Sequence, residues 1–225
     1  MHQSFHLQSK NWRLPMLGYG LMLVLIIISV NFWDRVIADM MHAQNYSGTL
    51  LKLLSQVPAL LEVIAAAFIL SLLIKSYRDR FTQLCIDLIA ILLIASLVRI
   101  GAKAIFGRTW PETWIYTESG NNPSWIANGV EGFHPFASGL AYNSFPSGHA
   151  LFTFALATVF WSYFPRLGLF WLACMVGVFI GQLGQNYHFF GDLLAGSTLG
   201  VFIAHMVIIT TQKLRTAEHN ASKAD

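Results

Sequence analysis

The sequence predicts an all-α integral membrane protein, a single bundle of six transmembrane helices, and three observations predict it. Of the 225 residues, 55% are hydrophobic and 11% are charged, less than half the roughly 25% charge of a soluble domain. The hydrophobic residues fall in long unbroken runs rather than at spaced core positions. A spanning helix needs about 20 such residues, so six occupy about 120 and fit the chain as one domain, residues 1–225. This pattern excludes a soluble globular enzyme, a disordered chain and a nucleic-acid-binding domain. The net charge of +3 belongs to membrane orientation rather than to a polyanionic partner.

The first run, residues 14–33, follows Lys10 and Arg13. No small-residue cleavage site follows it, only Asn31-Phe32-Trp33-Asp34-Arg35, so it reads as an uncleaved first helix. The second, residues 57–74, carries Pro58 in its first turn, where a missing N–H is harmless. The third covers residues 84–100. A polar stretch rich in Gly, Pro, Asn and Trp follows and forms an outer loop, residues 101–149. Three further runs cover residues 150–164, 167–183 and 193–210, with Pro165-Arg166 breaking the chain between two antiparallel spans. A polar tail, residues 211–225, ends the sequence.

Orientation follows from Lys and Arg. Nine lie on the side of the N-terminus and four on the other, with Arg99 inside the third span. Both termini are therefore expected in the cytoplasm of a bacterial inner membrane, and the 101–149 loop and 184–192 connection face the periplasm. Cys85 and Cys174 both lie in apolar segments and read as packing residues rather than a disulfide.

Three polar clusters interrupt the apolar pattern, all on the outer side. They are Lys103 to Pro111 with Arg108, Ser144-Phe-Pro146-Ser147-Gly148-His149, and Asn186-Tyr-His188-Phe-Phe-Gly-Asp192. Each suits an anion. Pro-Ser-Gly at a helix start leaves backbone N–H groups and a hydroxyl aimed at one spot. Lys103 and Arg108 supply positive charge, and the guanidinium fork matches phosphate oxygens. His188 and Asp192, four apart, share a helix face, so the carboxylate can hold one imidazole nitrogen and free the other as nucleophile or base. His149 offers a second imidazole as proton donor.

The order Lys…Pro, Pro-Ser-Gly-His, His-x-x-x-Asp resembles the type 2 phosphatidic acid phosphatase (PAP2) family of six-span, metal-independent lipid phosphatases, related in their site to vanadium haloperoxidases. The resemblance covers about residues 84–200. It implies a PAP2/haloperoxidase-like core that hydrolyses a lipid phosphate monoester or diphosphate. Lys103, Ser147 and Gly148 would bind phosphate, His149 would protonate the leaving alkoxide, His188 would form a phosphohistidine, and Asp192 would orient it. No cofactor or metal is implied, vanadate should inhibit, and the partners are the lipid phosphate substrate and membrane lipids, with no obligate protein partner. Two arginines of the family pattern are replaced: Trp110 stands before Pro111, and Gly181-Gln182 replaces Ser-Arg ahead of His188. Arg108 is expected to bind phosphate with Lys103, and Arg99, Gln182 and Asn186 are the secondary candidates to compensate.

Several readings stay open at this stage. Arg99 either binds phosphate or pairs with Glu62 or Asp87, as intramembrane charges do. His134 reads as a loop residue and His205 as a packing residue. Trp110, Trp114 and Trp125 form an interfacial belt or line a lipid groove. The substrate can be phosphatidic acid, phosphatidylglycerophosphate, undecaprenyl diphosphate or a lipid A phosphate. A lipid phosphotransferase using the same intermediate, or a silent anionic-lipid binder or transporter, are the rival functions.

Overall fold

The structure, a computed structural model, describes residues 13–44, 48–111 and 131–223; Lys10, Trp114 and Trp125 lie outside them. The described residues form eight α-helices: α1 (Arg13–Ile28), α2 (Asp34–Gln44), α3 (Thr49–Ser55), α4 (Val57–Ser71), α5 (Lys75–Phe106), α6 (Gly148–Tyr163), α7 (Gly168–Gly184) and α8 (Phe190–Ala221). A π turn, Ser29–Trp33, makes α1 and α2 one continuous rod. Among the described residues there is no strand, only isolated bridges from Arg108 to Phe133 and Asn143.

Among the described residues, four stretches are long and apolar enough to cross a membrane: Leu14–Gln44, Lys75–Phe106, Pro165–Gly184 and Phe190–Ala217. A fifth exists if α3 and α4, bent by 42°, make one crossing. Pro58 explains the bend, because it cannot donate the helical bond back to residue 54. The expected six thus reduces to a membrane-helical fold with four or five spans by length. The difference lies in α6, whose 16 residues rise only about 24 Å against a hydrocarbon core of about 30 Å.

Boundaries also shift. α5 begins at Lys75 and α8 runs to Ala221, so most of the expected polar tail is helical. No Gly or Pro occurs from Thr211 to Ala221 to stop the helix, and its residue types favour helix continuation. α3 was not expected at all.

α6 is the axis of the bundle. It packs against α4, α5, α7 and α8, and ten of its sixteen residues are buried, whereas only 6% of the apolar window of α1 is buried. Leu88, Ile91, Leu151, Leu156, Phe160 and Ile208 make the centre of the core. Between helices in lipid, small residues permit close backbone approach. A Cβ on Gly196 or Gly200 would come within 2.3 or 2.4 Å of the carbonyl oxygens of Ser147 and Leu151, so α8 lies directly on α6. A Cβ on Gly181 would sit 2.4 Å from the backbone nitrogen of Ser55, which presses α3 onto α7 in the same way.

Some polar groups serve packing. Tyr163 Oη donates to Asp87 Oδ2 at 2.6 Å, and Gln83 Nε2 donates to Asp87 Oδ1 at 3.1 Å. Asp87 and Arg99 stand twelve residues apart on α5, about 18 Å, so Asp87 is not the partner of Arg99. His205 Nδ1 lies 2.6 Å from Tyr19 Oη and joins α8 to α1. Cys85 and Cys174 are buried free thiols.

Candidate active site

The site grows from the first turn of α8. The backbone N–H of Phe189 donates to Asp192 Oδ2 at 3.2 Å, so the carboxylate reaches back over the helix start as an N-terminal cap does. Just before it, Asn186 takes a left-handed conformation, φ 54°, which asparagine tolerates better than most residues. Its Nδ2 donates to the carbonyl of Ala38 in α2. The loop so fixed points His188 Nδ1 at Asp192 Oδ2, 3.4 Å away. Ser144 Oγ donates to the same carboxylate oxygen at 2.5 Å and lies 3.4 Å from His188 Nδ1.

His188 is 2% exposed. Burial lowers its pKa, the Asp192 carboxylate opposes that, and Lys103 adds to the lowering; the net direction is down. The imidazole is therefore neutral at pH 7. With Nδ1 turned to the carboxylate, Nε2 keeps a free lone pair.

Behind the pair lies a buried cation. Arg108 Nη1 stands 2.6 Å from Asp192 Oδ1 and 2.7 Å from Asp34 Oδ2. Its guanidinium carbon lies 4.1 Å from the ring centre of Phe189 and 4.9 Å from that of Phe133. Burial opposes its charge, but Asp192 and then Asp34 outweigh burial and raise its pKa. Backbone bonds fix the segment: His134 N to Gly107 O at 2.9 Å, Ser144 N to Arg108 O at 3.0 Å. Gly107, φ 55°, is required here, because a Cβ would meet His134 O at 1.8 Å.

In front lies a cavity of about 210 Å³. One wall is His188, His149, Gly148, Lys103, Arg99 and Trp110, with Phe152 below; the other is Gln56, Pro58, Ala59 and Glu62, from the bend between α3 and α4. Lys103 Nζ donates to the Asn143 carbonyl and stands 5.3 Å over the Trp110 ring. Arg99 leans on Phe152, 5.5 Å from ring centre to guanidinium carbon, and its Nε is buried without a hydrogen-bond partner. The rings of His149 and His188 are 6.2 Å apart between centres, and Trp110 packs on His188 at 4.8 Å. Ser147 caps α6, accepting from Ala150 N, while its own N–H donates to the Asp192 carbonyl at 3.0 Å.

Lys103, Arg99, Gly148, His149 and His188 thus share one pocket, with Asp192 directly behind. Four sequence-chosen residues stand elsewhere. Arg108 is off the pocket wall, because two buried carboxylates need its charge. Ser147 serves as the helix cap under the wall. Gln182 Nε2 donates to the Ser55 carbonyl at 3.2 Å and Asn186 Nδ2 to the Ala38 carbonyl, so neither amide donates into the pocket, although the sequence offered both as substitutes for the replaced arginines. His134 packs on Tyr142 at 5.2 Å, away from the pocket wall. Trp110 fills the pocket side where the family pattern has arginine. Its Nε1 donates to Leu140 O at 2.7 Å.

Sequence reasoning missed Asp34, Glu62 and Gln56 as site residues and left Ser144 without a role. Ser144 and Asp34 were both in view: the first opens the Pro-Ser-Gly cluster, the second ends the first apolar run, where a charge reads as a flank.

The helical membrane fold thus sets a carboxylate-held histidine against a pocket walled by a lysine and an arginine. The family model of the PAP2 superfamily matches residues 84–216, more than half of the chain, and the chain belongs to that superfamily. It is 30% identical over 81 residues to the Lipid A 1-phosphatase of Rhizobium johnstonii, covering 36% of this chain and 33% of that protein. It is 33% identical over 72 residues to the Bacitracin transport permease protein BcrC of Bacillus licheniformis, covering 32% and 36% respectively. The matches span about a third of the length of each relative. No solved structure matches the chain.

Proposed function

We propose that the protein is a lipid phosphatase that releases phosphate from a lipid monoester or diphosphate through a phosphohistidine. The observation that carries this reading is His188, paired with Asp192 and opening onto a pocket walled by Lys103 and Arg99. In this reading His188 Nε2 attacks phosphorus and the bond to the lipid oxygen breaks. His149 gives its proton to that departing oxygen. Lys103, Arg99 and the N–H groups at the start of α6 hold the non-bridging oxygens as charge builds on them. Water then attacks the phosphohistidine, His149 takes its proton, and phosphate leaves with His188 restored. The protein's own cations neutralise the phosphate, so no metal takes part.

Lipid A phosphates, phosphatidic acid, phosphatidylglycerophosphate and undecaprenyl diphosphate are the substrate class. The names of the lipid A 1-phosphatases among the relatives support it. The distribution of Lys and Arg supports six crossings of a bacterial inner membrane, α6 being the short fourth, with the pocket on the periplasmic side.

The test is phosphate release by the detergent-purified protein in EDTA across a panel of these lipids, beside His188→Ala. Release that is lost in the variant and blocked by vanadate supports the reading. Release that persists in the variant overturns it, and release only in the presence of an acceptor lipid assigns phosphotransfer instead.

A further inference from the structure

Asp34 lies outside the residues matched by the family model, and the mechanism above gives it no part. It follows a π turn, Ser29–Trp33, in which the N–H of Asp34 bonds the carbonyl of Ser29. Such turns widen a helix locally and recur at functional sites. Here the extra residue turns Ser29 and Asp34 inward together, 0% and 2% exposed, while their neighbour Trp33 stays 43% exposed.

Both oxygens of Asp34 meet polar groups, Oδ2 as an ion pair without a hydrogen bond. Oδ1 accepts from Ser29 Oγ at 2.6 Å and from the N–H of Gly191 at 2.7 Å. Oδ2 faces Arg108 Nη1 at 2.7 Å, and the same nitrogen faces Asp192 Oδ1 at 2.6 Å. A side chain on Gly191 would place its Cβ 2.8 Å from Asp34 Oδ2, so the glycine makes the approach possible. One turn further along α2, the Ala38 carbonyl holds Asn186 on the other side of His188.

We propose that Asp34 is a positioning residue for the His188–Asp192 pair, acting through Arg108. Its charge keeps the guanidinium clamped on Asp192 and turned from the pocket. Its bond to Gly191 fixes the α8 turn that carries Asp192. Without the charge, a buried Arg108 is drawn toward the phosphate and the carboxylate loses its register against His188. The proposal rests on the phosphohistidine reading above.

The experiment uses the full chain in detergent and the panel lipid that releases most phosphate. Asp34→Asn keeps the size and one acceptor but removes the charge. It is expected to lower kcat about 10- to 100-fold, the range seen when outer carboxylate partners of a histidine are lost, with KM within about threefold. In an Arg108→Gln background the same change is expected to add nothing, because residues that act as a unit are non-additive. A full additional loss in that background, or an unchanged kcat in the single variant, overturns the proposal. Should Asp34→Asn fail to fold, Ser29→Ala serves, since it loosens the same carboxylate and leaves its charge. A lower kcat at unchanged KM then supports the proposal, and an unchanged kcat overturns it. His188→Ala separates the two readings: an active His188→Ala sinks both, whereas an inactive one beside a normal Asp34→Asn sinks this proposal alone.

Discussion

Among the buried carboxylates of the described residues, two stand at opposite ends of the core, Asp87 in α5 and Asp192 in α8, 1% and 0% exposed. Asp87 is answered by neutral groups, the Tyr163 hydroxyl and the Gln83 amide, and among the described residues it makes no ion pair. Asp192 is answered by the Arg108 guanidinium as well as by Ser144, His188 and the Phe189 N–H. Burial of an ionisable group inside a membrane helix is common to both and does not mark the active end. What marks it is a full cation brought into the core, at a considerable desolvation cost, next to a cavity that two histidines share.

The sharpest break of that comparison is Asp192→Asn against Asp87→Asn. The first is expected to cut kcat about 10³- to 10⁴-fold, the scale reached when a catalytic histidine loses its orienting carboxylate. The second is expected to leave kcat within about twofold, read by phosphate release at saturating lipid; equal losses would erase the distinction. Next in size, Lys103→Met is expected to weaken vanadate inhibition roughly 10- to 100-fold, since a charged hydrogen bond is worth about 1.5–3 kcal/mol.

A pH profile sharpens the comparison further. Burial, reinforced by Lys103, holds the His188 pKa below 6.5, with Asp192 opposing. The His188 nucleophile then loses its proton below the ordinary imidazole range, and the acid limb of kcat/KM is expected at that lower folded value. Lys103→Met removes a lowering charge, so its acid limb is expected to move up toward 6.5, while Asp87→Asn leaves the limb in place. An acid limb above 6.5 in the unmodified protein would contradict the assignment of His188. The smallest effect on activity belongs to Tyr163→Phe. It is expected to cost about 1–3 kcal/mol of stability by leaving a buried Asp87 oxygen short of a partner, seen as a lower thermal midpoint, with kcat within about twofold.

The membrane class was legible because composition alone separates it from soluble folds, and the site was legible because His149, His188 and Asp192 stand out against an apolar background. α3 was not legible. Thr49–Ser55 is too short to show a period, and it exists because glycines on α7 let its backbone close in. Arg108 was read as a phosphate ligand since a sequence shows that a cation is near the cluster but not which anion claims it; its partners are 74 and 84 positions away. Asp34 was hidden by the π turn, which alters the helical period only in three dimensions. Gln182 and Asn186 carried donors of the right type, and carbonyls of Ser55 and Ala38, far off in sequence, took them.

The long rod of α1 and α2 sets a depth. From Leu14 to Asp34 is twenty residues, about 30 Å of helix, close to one hydrocarbon thickness. The rod shows most of its apolar surface outward, and Asp34 lies about one hydrocarbon thickness along it from Leu14. Arg108, Asp192 and His188 are bound to that level through Asp34. In the proposed lipid phosphatase, a phosphate carried on a lipid would be met at that level with its tails still in the leaflet, and a bilayer of different thickness would raise or lower the meeting point.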